Sequence, residues 1–344
     1  MNQLHGGDIY RNNVTYDFSV NTNLLGVSEA VKTALHQAVD QCQEYPDIMA
    51  EKLKKAVSEW LHVPQEYLLF GNGASELFAA IVHAFLPEKT MIPVPSFYGY
   101  EYAAKMVKGQ IVFYEMDSEH DFCLDDNFFK VLDTSEIALL FLANPNNPTG
   151  KLLEISYLKK LFCICQEKGI LVVLDECFIE FCSSGSSMLG ELEEFENLII
   201  VRAFTKSFAL PGVRLGYLLC SNTALLECIR KQLPEWNISC FAQEAGYLCT
   251  KQTAYLEKTI DYVRKERSYL TEHLGKVDLK IFSSTANFIM VYSSKPLYEE
   301  LLKYGILIRD CENFRGLTKG FYRIAVKTRA ENEILVNTIG RILA

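Results

Sequence analysis

The sequence predicts an α/β protein, with a large domain on a mainly parallel sheet and a small C-terminal α+β domain. Three observations predict it. Short, continuously apolar runs such as 170–174 and 198–201 alternate with amphipathic stretches, the pattern of strands covered by helices on both faces. Past about residue 253 that alternation gives way to a long charged helix followed by short strands and helices. A length of 344 residues suits about two domains, and 49% hydrophobic against 22% charged residues excludes general disorder.

Taken in order, residues 1–45 form an N-terminal arm. Within it 28–41 reads as a helix, with Ser28 as N-cap and Val31, Leu35 and Val39 at helical spacing. The large domain, 46–250, opens on a strand at 67–70 that turns at 71–73 into a helix at 74–86. Strands follow near 90–94, 111–115 and 137–142, with a helix near 97–107 between the first two. A helix at 154–168 precedes strands near 170–174, 198–202 and 214–219. The small domain, 251–344, holds a helix at 254–273, strands near 279–282 and 287–292, and a helix near 296–303. Strands near 306–310 and 321–326 and a closing helix at 331–343 complete it, and the arm is free to join this unit.

Acidic residues outnumber basic ones 43 to 34, a net charge of −9, which argues against a nucleic-acid partner. It leaves small anionic ligands open, because one local Arg or Lys outweighs the global sign. The first eight residues have no apolar core and no basic start, so no signal peptide is expected. No apolar run approaches the ~18 residues a membrane span needs. The eleven cysteines form no CxxC unit, so free thiols in the cytoplasm and no metal site are expected.

Four segments sit at strand ends, where open α/β sheets collect their functional groups. Gly71-Asn72-Gly73-Ala74-Ser75-Glu76 leads a strand into a helix. Its free N–H groups suit a phosphate, and equally an ordinary turn capped by Ser75. Asn144-Pro145-Asn146-Asn147-Pro148 is either plain turn chemistry or a rigid mount for an amide. Asp175 closes a buried apolar strand, which costs several kcal/mol unless it is paired. A protonated pyridine nitrogen would be such a partner; a loop cap is the alternative. Lys206 follows another buried strand, where desolvation would make its amine a nucleophile. Arg214, eight residues on, could return to the same pocket and bind phosphate. Both basic residues could equally be solvated.

In that order the four segments resemble the fold type I pyridoxal-phosphate enzymes of the class I/II aminotransferase group, over nearly the whole chain. The resemblance implies pyridoxal 5'-phosphate (PLP) as cofactor and a role for each matching residue. Lys206 matches the lysine that forms the Schiff base and later carries the proton. Asp175 matches the carboxylate that keeps the pyridinium protonated, and Asn147 the amide on the ring 3′-oxygen. Phe97 matches the aromatic stacked on the ring. Ala74 and Ser75 match the backbone phosphate site, with Thr205 and Arg214. Tyr45 matches the tyrosine that reaches the neighbouring subunit's phosphate, which implies a homodimer with shared sites. Arg323 matches the arginine on the substrate carboxylate. Phe178 stands where many relatives carry a tyrosine that also contacts the 3′-oxygen, and Ala203 where many carry a hydroxyl.

Within the group, His5-Gly6-Gly7-Asp8, Asp17-Phe18-Ser19-Val20-Asn21-Thr22-Asn23 and the stretch 308–316 resemble the histidinol-phosphate aminotransferase branch. Inside it they are similar to the L-threonine-O-3-phosphate decarboxylase family. This implies an enzyme of a phosphorylated amino acid: a decarboxylase serving cobalamin biosynthesis, or alternatively an aminotransferase passing an amino group to 2-oxoglutarate. The same motifs make His5 and Asn21 substrate candidates. With Arg214 and Arg323 assigned, His5, Arg309 and Arg315 remain for the substrate phosphate. Arg315, in a Phe-Arg-Gly turn, is the one expected there, with a solvated loop arginine as its alternative.

Overall fold

The computed structural model describes residues 6–183 and 185–344, so His5 lies outside the described residues. The strands, in chain order, are β1 (Tyr16–Asp17), β2 (Leu68–Gly71), β3 (Lys89–Val94), β4 (Gln110–Glu115), β5 (Leu139–Ala143), β6 (Leu171–Asp175), β7 (Leu198–Ala203), β8 (Gly216–Leu219), β9 (Lys280–Phe282), β10 (Phe288–Tyr292), β11 (Ile306–Leu307), β12 (Arg309–Asp310) and β13 (Phe321–Ala325).

Seven of them form the central sheet in the order β2-β8-β7-β6-β5-β3-β4. Every neighbouring pair is parallel except the two that involve β8. Every residue of β5 and β7 is buried. Along β6, Val172 and Leu174 pack into one core and Val173 into the other, so both faces are covered. Burial of each such side chain stabilises by about 1.5–3 kcal/mol, which is why these strands are apolar throughout rather than alternating.

The expected run at 214–219 becomes a strand only from Gly216, and it is antiparallel. Between β7 and β8 the chain makes one helical turn, Phe204–Ser207, and no crossover helix, so its direction reverses. The helix expected over 28–41 runs Glu29–Gln37 and tightens into a 3-10 turn at Ala38–Gln41. Ser28 does cap it, its hydroxyl accepting from the Val31 N–H at 3.4 Å.

The second sheet, β12-β13-β10-β9, is antiparallel and packs on the helices Thr253–Leu274 and Arg329–Leu343. The run expected as one strand over 306–310 is two. β11 pairs with β1 of the arm (Tyr16 opposite Ile306), whereas β12 pairs with β13. The arm then passes Phe18, whose N–H donates to the Leu307 carbonyl at 2.7 Å, towards the sheet ends where the large domain opens.

Candidate active site

The carboxyl ends of β3, β5, β6 and β7 open into a cavity of about 690 Å³, closed on its other sides by the arm and the 309–317 loop. The sequence-assigned residues Asn21, Ala74, Ser75, Phe97, Asn147, Asp175, Thr205, Lys206, Arg214, Arg315 and Arg323 all line it.

Lys206 lies in the helical turn directly after β7, so the strand end fixes where its chain starts. Its Nζ is 3.5 Å from Asn21 Oδ1 and 5.6 Å from the centre of the Phe178 ring. Burial, with the charges of Arg323 and Arg214 beside it, lowers the amine to about 8. A sizeable neutral fraction near physiological pH is what a nucleophilic lysine needs.

Asp175 is the last residue of β6 and is 8% exposed. Tyr100 donates its hydroxyl to Oδ2 at 2.5 Å, and the Cys177 N–H donates to Oδ1 at 2.8 Å. Burial nevertheless raises its carboxyl above the ordinary value, because neither donor carries a charge. The environment therefore favours a cationic partner in the cavity. Tyr100, itself fully buried and stacked on Phe141 at 5.3 Å, is a site residue the sequence reading missed. Its only signal was its position one helical turn after Phe97, whose ring meets it edge-on at 5.7 Å.

The turn after β2 places Gly73 at the head of the helix Ala74–Phe85, with no side chain capping it. Its φ of +77° is left-handed, and a Cβ there would sit 2.5 Å from an Arg214 guanidinium nitrogen. Only glycine lets the arginine close over the free N–H groups of Ala74 and Ser75. Arg214 also donates to the Pro211 carbonyl at 3.2 Å.

Arg323, on β13, is buried. It donates to Asn147 Oδ1 and, at 2.9 Å, to the Ser19 carbonyl. Its Nε has no partner, nor has Asn21 Nδ2, although both are buried. Both residues line the cavity, and each keeps a donor that its protein neighbours leave unsatisfied. Burial lowers Arg323 to about 10. Asp17 and Ser19 brace this corner: the Ser19 N–H and hydroxyl donate to Asp17 Oδ1 at 2.8 and 2.6 Å. A Cβ at Gly6 would lie 2.5 Å from the Ser19 carbonyl, so the opening glycine is required for contact.

Two arginines depart from the expected picture, and Tyr45 lies away from this chain's cavity, where a residue serving a neighbouring subunit would lie. Arg315 reaches the cavity but is not a free loop cation: Glu101, a second residue the sequence did not reveal, accepts from its Nε at 3.2 Å and Nη2 at 3.0 Å. Burial works against ionisation of Glu101, but the hydrogen bonds from Arg315 and Lys105 outweigh it and hold its carboxyl below the usual range. Arg309, buried on β12, also lines the cavity, and it donates to Asn313 Oδ1 at 2.7 Å beside it. Tyr45 does not line this chain's cavity. It is 82% exposed and packs at a tilt against Trp236, ring centres 4.9 Å apart.

A lysine after a buried strand, a carboxylate awaiting a cation, and a helix head closed by an arginine fit the amine-reactive aldehyde, ring nitrogen and phosphate of PLP. Fold and site together define a PLP enzyme of fold type I. The chain belongs to the aminotransferase class I and II family, whose model matches residues 14–339, and its cofactor is PLP. It is 37% identical to a putative threonine-phosphate decarboxylase of Caldanaerobacter subterraneus, over 97% of this chain and 92% of that one. It is 33% identical to a histidinol-phosphate aminotransferase of Clostridium kluyveri, over 87% of this chain and 84% of that one. The crystal structure of the histidinol-phosphate aminotransferase from Clostridium acetobutylicum superposes with a TM-score of 0.89 at 32% identity, covering 95% of this chain and 98% of that one. No described helix is long and apolar enough to cross a membrane.

Proposed function

We propose that the chain is a homodimeric decarboxylase of O-phospho-L-threonine, releasing carbon dioxide and (R)-1-amino-2-propanol O-2-phosphate. The observation that carries this reading is the pair of arginine centres in one cavity. Arg323, with its unpartnered Nε, offers one anion subsite, and Arg309 with Arg315 offers a second. An O-phosphorylated amino acid has two anionic ends to match them.

Bound PLP supplies an electron sink for the pair left behind when a bond at the substrate Cα breaks. The chain's residues do the rest. Ala74 and Ser75 N–H groups, Thr205 and Arg214 hold the cofactor phosphate. Asp175, fixed by Tyr100, would hold the protonated ring nitrogen, and Phe97 would pack on the ring. Asn147, with Oδ1 occupied by Arg323, has Nδ2 to donate to the 3′-oxygen. Lys206, at about 8, holds the cofactor and later delivers a proton to Cα, Asn21 keeping its Nζ in place. Arg323 and the 309–315 loop fix the two substrate anions, while Tyr45 completes the partner subunit's phosphate site.

A second reading, an aminotransferase acting on histidinol phosphate, is favoured by the close superposition on the Clostridium acetobutylicum enzyme. One assay separates them. Carboxyl-labelled O-phospho-L-threonine should release labelled carbon dioxide without any oxo acid present. Formation of glutamate from 2-oxoglutarate and histidinol phosphate, with no carbon dioxide from the phosphothreonine, would replace the first reading by the second.

A further inference from the structure

Two thiols far apart in sequence meet outside the cavity. Cys42 follows the 3-10 turn Ala38–Gln41 and is exposed, while Cys240 opens the helix Cys240–Cys249 and is half-buried. Both sulfurs lie 3.8 Å from one acceptor, the Ala38 carbonyl oxygen. The helix Glu29–Gln37 and the turn pack directly on the helix Cys240–Cys249, and the two thiols interact with each other. Desolvation and the neighbouring Cys240 thiol raise Cys42 above the ordinary thiol value, so its reactive thiolate is a minor form at neutral pH and oxidation is slow. A few residues away the same two segments meet again, where the Tyr45 ring packs at a tilt against Trp236.

We propose that Cys42 and Cys240 are a reversible dithiol–disulfide pair, oxidised by peroxides, that staples the Tyr45 segment to the large domain. The exposed Cys42 thiolate attacks one oxygen of hydrogen peroxide. The O–O bond breaks, the departing hydroxide takes up the released proton as water, and Cys42 becomes a sulfenic acid. The Cys240 sulfur then displaces that oxygen as a second water, giving the S–S bond. The two sulfurs together lose two electrons, and the peroxide gains them. Closure needs the sulfurs to reach about 2 Å, which side-chain rotation and a shift of the exposed residues after the turn supply. The bond fixes the segment that leads to Tyr45. That consequence matters for turnover only if Tyr45 acts as assigned above, whereas formation of the bond does not depend on that assignment.

The test uses the full-length holoenzyme, reduced, desalted and exposed to hydrogen peroxide. Free thiols are then blocked with N-ethylmaleimide and the protein is digested for mass spectrometry. The expected result is a linked Cys42–Cys240 peptide pair, two hydrogens lighter than its parts and lost on dithiothreitol treatment. The oxidised form should melt roughly 5 °C higher, since the bond closes a long loop. C42S and C240S should each abolish the linked peptide and the shift, and C42A and C240A serve if a serine impairs folding. Recovery of Cys42 as a sulfinic acid, or joined to any other cysteine, with Cys240 still carrying the blocking group, would overturn the proposal.

Discussion

Lys206 sits in the cavity at a cost to the fold. Enclosure by protein and two neighbouring arginines lower its amine from 10.5 to about 8. Between those values the unfolded chain binds the proton and the folded one does not, so stability rises with pH through that window. Below about 8 the full cost is present. K206M in cofactor-free protein should therefore raise Tm at pH 7, and the gain should fade as the pH approaches 10.5. A gain that is constant with pH would mean the amine is not perturbed. Arg315 makes a different prediction. Its two bonds to Glu101 hold the guanidinium at the cavity rim without neutralising the arginines around it. R315A should raise KM for O-phospho-L-threonine by ~10-fold, the scale of one charge-assisted hydrogen bond, and leave kinetics with unphosphorylated L-threonine nearly unchanged. An equal loss with both substrates would make Arg315 only the partner of Glu101.

At the scale of elements, the strand ends sort charge by face. Asp175 turns to the cavity, while Glu176 beside it is fully buried and takes a pair of bonds from Arg202 on β7, at 3.0 and 2.8 Å. Glu180, in the turn Ile179–Phe181, comes only within 4.0 Å of Arg202 and leaves Oε2 without a partner. Burial raises it from 4.5 to about 7. Its folded form holds a proton the unfolded chain has lost, so stability falls as pH rises from 4.5 to 7 and stays low above. E180Q should raise Tm at pH 8 and have little effect at pH 4.5, as pH-resolved thermal melts would show. A gain equal at both would contradict the buried charge.

These elements also mark what the sequence disclosed. Lys206, Asp175, Asn147 and the Gly73 turn each read equally well as ordinary strand-end chemistry, and it was their order along the chain that marked a site. Tyr100 was not legible, since a tyrosine inside an apolar helix looks like core. Glu101 was hidden because its partner, Arg315, lies 214 positions away. The split of 306–310 into β11 and β12 was equally hidden, because β11 is defined by pairing with the arm some 290 residues earlier. The helices Glu51–Leu61, Asp126–Thr134, Thr223–Arg230 and Cys240–Cys249 went unread because charged, polar and small residues interrupt their apolar positions.

At the scale of the whole molecule, the arm joins both sheets to the site. Asn23 donates to the Ser207 carbonyl at 2.7 Å and to Thr259 at 2.8 Å, and its N–H donates to the Lys206 carbonyl, tying the lysine turn to the long helix of the C-terminal unit. Tyr45, exposed on this surface, is proposed to reach the partner subunit's phosphate site. Mixing Y45F subunits with K206A subunits should give hybrids with one native site and recovered turnover, and verified subunit exchange without recovery would remove that role. The account rests most heavily on Lys206 as the residue that bears the cofactor. Borohydride reduction of the holoenzyme, followed by peptide mapping, should place the reduced pyridoxyl phosphate mass on the peptide containing Lys206 and on no other lysine. A label on a different lysine, with Lys206 unmodified, would contradict the assignment of the site.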